Sequence, residues 1–85
     1  MTQTALDFTR PRPGDLFKYG TQCHKIYERL LQQGKITNIE IVYELRIPNS
    51  TGRISDIREA LKPHLMTVSD AKRTEDGQFE YALIG

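Results

Sequence analysis

Tryptophan is absent from this chain and cysteine occurs once, at Cys23. A lone cysteine excludes an intramolecular disulfide framework and fits a reducing compartment. Without tryptophan, aromatic packing rests on four tyrosines and three phenylalanines. No apolar run approaches the roughly 18 residues that a membrane-spanning helix needs. Nor does the chain start with a charged segment leading into an apolar one, the pattern that directs secretion. The expected location is the cytoplasm, with no membrane partner.

Charge of one sign is missing as well. Twelve Lys and Arg stand against eleven Asp and Glu, a net charge of +1, so no global field advertises a nucleic-acid partner. The distribution is less even. Residues 46–64 carry Arg46, Arg53, Arg58 and Lys62 against Asp56 and Glu59, a local +2. Residues 65–85 carry Lys72 and Arg73 against Asp70, Glu75, Asp76 and Glu80, a local −2.

Patterns that carry chemistry are equally scarce. Cys23, His24 and His64 lack the Cys-x-x-Cys or His-x₃₋₅-His spacing of a four-ligand metal site. Gly52 stands alone rather than in a phosphate-cradling loop, and no Ser/His/Asp or Cys/His order has motif context. Asp56 and Glu59 fall on a solvated helix face rather than in an evident cleft, a poor setting for acid/base work. No enzyme activity, cofactor or metal is expected.

What remains is one small domain of 85 residues, 38% hydrophobic and 27% charged, the composition of an ordinary globular chain. A chain this short removes only about 60% of its unfolded surface from water, so its core is small. Residues 1–20 form an N-terminal arm, which the Pro11-Arg12-Pro13-Gly14 run splits into two short extended pieces. Two readings of the arm stay open. It is a flexible or lightly docked tail whose Phe8 and Phe17 cover part of the core, or a minor-groove arm presenting Arg10 and Arg12.

The main domain is expected over residues 21–85. From Thr21, a capping residue, apolar side chains recur at Cys23, Ile26, Tyr27, Leu30 and Leu31, the spacing of an amphipathic helix, and Gly34 supplies its C-cap. Ile36 is a candidate short strand. Thr37-Asn38-Ile39-Glu40 matches a capping box and opens a second helix, with Ile39, Val42, Tyr43 and Leu45 turned toward the first and Pro48 as its stop. After a three-residue turn in which Ile47 plugs the corner, Asn49 or Ser50 caps a third helix with apolar positions Ile54, Ile57 and Leu61. Pro63 ends that helix at Lys62. Leu65, Met66 and Val68 then form one strand and Phe79, Tyr81 and Leu83 another, joined through Asp76-Gly77 as a β-hairpin.

This order predicts an α+β winged helix-turn-helix, with three helices, a C-terminal β-hairpin wing and a short strand near Ile36. Residues 21–85 also resemble the small winged helix-turn-helix domains encoded by phages and prophages. The resemblance rests on Ile36-Thr37-Asn38-Ile39-Glu40, on Gly52-Arg53-Ile54-Ser55-Asp56-Ile57-Arg58 and on the closing Tyr81-Ala82-Leu83 strand. It departs from the usual pattern at Lys62-Pro63-His64, where a glycine-containing turn is more common. The resemblance implies a DNA-binding module without catalysis in a bacterial host cell, a regulator of transcription or recombination. It carries contact roles to Arg53 and Arg58, or equally a role in bracing the third helix against the wing.

The expected contacts with double-stranded DNA are Asn49, Ser50, Thr51, Arg53, Ser55, Arg58 and Lys62 on helix 49–62, reading the major groove. Lys72 and Arg73 in the wing, over residues 70–77, contact backbone. Small residues at Gly52 and Ser55 let the helix approach a groove, and a symmetric homodimer would double the site. Asp56 and Glu59 repel phosphate unless they accept from cytosine or pair with Arg53 and Lys62. They keep a second reading open, a docking module for a host or phage protein.

Overall fold

The computed structural model describes residues 10–85. The Phe8 part of the arm reading lies outside the described residues. Helices and a small antiparallel sheet share one core, as the α+β class requires. In chain order the elements are α1 (Pro13–Leu16), α2 (Gln22–Gln33), β1 (Lys35–Thr37), a π-helical segment α3 (Glu40–Glu44) and α4 (Ser50–Leu61). A 3₁₀ turn (Lys62–His64) then leads to β2 (Thr67–Val68), β3 (Lys72–Arg73) and β4 (Phe79–Ile84).

The arm corrects the extended reading of Pro-Arg-Pro-Gly. Proline is disruptive inside a helix but suited to its first turn, and Pro13 begins α1, with Asp15 accepting from the Arg12 amide at 3.0 Å. The segment is docked. The Tyr27 hydroxyl donates to the Pro11 carbonyl at 2.8 Å, and the Phe17 ring meets Tyr27 edge-on at 6.0 Å between centroids.

Two long helices follow their sequence signals closely. Thr21 Oγ1 accepts from the His24 amide, and Gly34 takes the left-handed conformation (φ 81°) that closes α2. Asn49 Oδ1 accepts from the Gly52 amide at 3.1 Å and caps α4, whose Ile54, Ile57 and Leu61 are buried. These side chains join Ile26, Tyr27, Leu30, Ile36, Ile41, Ile47, Met66, Val68 and Tyr81 in one core. Full burial of each aliphatic side chain is worth about 1.5–3 kcal/mol.

The second helix departs from its predicted phase. Thr37 and Glu40 form the capping box reciprocally, Thr37 N to Glu40 Oε1 at 3.0 Å and Glu40 N to Thr37 Oγ1 at 3.1 Å. Beyond it the chain widens into a π turn, with the Leu45 amide on the Glu40 carbonyl and the Ile47 amide on the Ile41 carbonyl. The wider turn brings Ile41 and Ile47 into the core and leaves Ile39 and Tyr43 on the surface, Tyr43 at 71% exposure. Arg46 adopts a left-handed φ of 59° to redirect the chain into α4.

β4 is the central strand. On one side it pairs with β1, setting Ile36 opposite Tyr81. On the other it pairs with β2 and β3, through Val68 opposite Leu83 and Lys72 opposite Glu80. Between those two pairs, Ser69, Asp70 and Ala71 face only Tyr81 and Ala82, so the hairpin carries one extra residue, a β-bulge. Ser69 patches the ladder by donating its amide to the Ala82 carbonyl and accepting the Ala82 amide on Oγ. Leu65, an expected strand residue, lies outside the strand, left-handed (φ 58°) and 92% exposed, because the 3₁₀ turn delays the start of β2. The hairpin closes at Gly77, whose φ of 83° satisfies the turn expected at Asp-Gly.

Glu40 ties α2 to α3. Burial by itself would raise its pKa, but donors from Gln33, the Thr37 backbone and Arg29 outweigh it and hold the carboxyl below its ordinary value. A depressed folded pKa adds stability that is present above the unfolded value and lost as pH falls through the folded one. Urea denaturation of Glu40→Gln should therefore show a deficit against the parent that is largest near neutral pH. The deficit should shrink on acidification below the ordinary glutamate value near 4.5. A deficit independent of pH would contradict this.

Candidate nucleic-acid interface

α4 buries its apolar stripe against α2 and β2 and leaves Thr51, Ser55, Asp56, Glu59 and Lys62 exposed. Of the expected contact residues, Thr51 and Ser55 lie open on this side, and Lys62 follows at its C-terminal end. Ser50 is half-buried at the first helical position. Asn49 is committed to capping, and a Cβ on Gly52 would come within 2.6 Å of the Asn49 side-chain nitrogen Nδ2. Gly52 thus makes room for the cap, and the space over it is already occupied.

The three cations of this helix have different surroundings. Arg53 Nη2 lies 3.2 Å from Asp56 Oδ2, and among the described residues its buried Nε has no hydrogen-bond partner. Lys62 Nζ lies 3.0 Å from Glu59 Oε2, with both side chains about 70% exposed. Arg58 points to the hairpin. Its Nε donates to the Val68 carbonyl at 2.9 Å and its Nη2 to the Ser69 carbonyl at 2.7 Å, with Asp70 Oδ1 at 3.8 Å. The bulge disturbs the ladder at these carbonyls, and one guanidinium satisfies both. Arg58 thus braces α4 against the segment between β2 and β3.

No family model, curated protein or solved structure matches this chain.

Beyond the bulge, Lys72 and Arg73 are exposed on β3, and neither forms an ion pair among the described residues. Glu80 stands opposite Lys72 on β3 and Thr37 on β1, and pairs diagonally with Lys35 at 3.5 Å. On α2, Cys23 packs beside α4 with Sγ 3.9 Å from the Arg53 carbonyl. Burial and the nearby Asp56 push this thiol up, although Arg53 pulls the other way, so it is predominantly protonated near neutral pH. Among the described residues, no group of three His, Cys, Asp or Glu side chains is arranged to hold a metal ion, and no helix is long and apolar enough to cross a membrane. A second surface feature is an open depression lined by Val42, Tyr43, Arg46 and Pro48, at the turn between α3 and α4.

The sequence left a bracing role for Arg58 open but did not identify its carbonyl acceptors, which lie ten and eleven residues away across a loop. The available signal was an arginine at the edge of the buried stripe facing a hairpin with unequal arms. Removing a charged donor from two carbonyls costs more than breaking a surface pair. Arg58→Ala should lower unfolding stability by about 1–3 kcal/mol, whereas Arg53→Ala should change it by less than about 1 kcal/mol. Chemical denaturation of the two variants measures this, and equal effects would refute the distinction.

Proposed function

We propose that this chain is a winged helix-turn-helix DNA-binding domain, with α4 in the major groove of duplex DNA and the β3–β4 hairpin on the adjacent backbone. The observation that carries this reading is the union of α4 and hairpin through Arg58. One helix presents an exposed side of Thr51, Ser55, Asp56, Glu59 and Lys62, and the hairpin clamped to it carries Lys72 and Arg73 without ion partners among the described residues. The major groove is about 12 Å wide and admits an α-helix, and cations on an adjoining hairpin suit phosphate.

In this reading Thr51 and Ser55 face base edges, Arg53 and Lys62 reach phosphate or guanine, Lys72 and Arg73 hold backbone, and Arg58 positions the wing. Asn49 and Ser50 order the start of the helix. The resemblance of residues 52–58 to phage-encoded domains supports a role in regulating transcription or recombination in the cytoplasm of a bacterial host. One such helix covers few base pairs, so a symmetric dimer on two half-sites suits specific binding.

The second reading, a protein-docking module, draws on one observation. Tyr43 projects at 71% exposure beside the depression with Arg46 and Pro48, a combination of aromatic, cation and proline on the side of α3.

Salt-dependent binding to duplex DNA tests the main reading. Affinity should fall steeply as salt rises, and Lys72→Ala with Arg73→Ala should flatten the logarithmic salt slope by about 1 for each phosphate that is no longer neutralised. Absence of duplex binding at low salt, or a slope unchanged in the double variant, would contradict it.

A further inference from the structure

Two of the cations on α4 are held by acids of the same helix. Arg53 is paired with Asp56 and Lys62 with Glu59, each three residues apart, while Arg58 is engaged at the bulge. Both pairs are partly or largely open to solvent, where an ion pair is weak and readily exchanged for another partner. The Arg53 pair carries an internal cost. It leaves Nε buried without an acceptor, which is unfavourable for a charged donor. The tucked position is therefore one that an external acceptor can displace.

Breaking the pairs frees two cations but strands two carboxylates. In a non-specific complex those carboxylates face phosphate and are repelled. In a matched complex they regain a partner only where a base presents an amino group, and cytosine N4 is the major-groove donor best suited to a carboxylate. Resting on the DNA reading above, we propose that Asp56 and Glu59 are specificity-determining residues. They hold Arg53 and Lys62 away from phosphate in the free protein and release them on duplexes that place cytosine amino groups under α4. This arrangement suppresses non-specific binding, which is driven almost entirely by counterion release, and it accords with a chain whose net charge is only +1.

Fluorescence anisotropy with a pool of random-sequence duplexes, measured across salt concentrations, tests the inference. Asp56→Asn with Glu59→Gln should bind the pool more tightly at low salt. Its salt slope should be steeper by about 0.9 for each cation released, or about 1.8 in all. Glu59→Gln alone should give about half that change. Adding Arg53→Gln and Lys62→Gln to the double variant should return it to parental behaviour, and sequences selected from the pool should be cytosine-enriched for the parent only. Unchanged affinity in the double variant, a gain that survives removal of both cations, or cytosine enrichment that persists without the carboxylates would overturn the proposal. Binding by the parent with any of these outcomes overturns this inference alone, whereas failure of both parent and double variant to bind duplex overturns the DNA reading beneath it.

Discussion

The placement of helix and hairpin depends on the Arg58 guanidinium. β2 and β3 have two residues each and are separated by a bulge, and strands so short, each paired only with β4, have little stability of their own. The bulge also interrupts the ladder beside the Val68 and Ser69 carbonyls. A single planar fork of donors reaching from α4 satisfies both, and in doing so ties the hairpin to the helix it adjoins. The apolar stripe of α4 sets the helix on the core, and Arg58, together with buried Val68 and Met66, sets the hairpin on the helix. Without the second of these, Lys72 and Arg73 would stand on a pair of strands held mainly by β4.

Much of this was legible in the sequence where local physics decides the outcome. Thr21, Gly34, the Thr37–Glu40 box and Asn49 cap their elements as their chemistry dictates, and the stripe at Ile54, Ile57 and Leu61 is buried. Local rules failed where tertiary packing prevailed. Periodicity placed Ile39 and Tyr43 inward, whereas the π turn buries Ile41 instead, because a widened turn cannot be told from a regular one by spacing alone. Leu65 reads as a strand residue by its side chain, yet the 3₁₀ turn after Pro63 puts it outside the sheet. Pro-Arg-Pro-Gly reads as extended, yet Pro13 sits where helices accept it.

The element that carries the candidate site was legible in the sequence, and its side-chain contacts less so. The sequence marks α4 as the element with exposed polar residues and offers the Arg53–Asp56 pair three residues apart, but the assignment of Arg58 turns on partners distant in the chain. Arg58 is directed inward to the bulge and Arg53 along its own helix to Asp56. The local excess of positive charge is thus largely occupied. Any DNA contact by Arg53 or Lys62 must exchange existing ion pairs for new ones, which places unusual weight on Asp56 and Glu59.

The most direct measurement is amide chemical-shift mapping of the labelled protein on addition, at low salt, of a duplex that the protein selects from a random-sequence pool. The expected result is a set of perturbations that covers Thr51, Ser55, Glu59 and Lys62 on α4 together with Lys72 and Arg73 on the hairpin, leaving the Tyr43–Arg46 turn unchanged. Perturbations confined to Val42, Tyr43 and Arg46, or none at all, would contradict a DNA-reading α4.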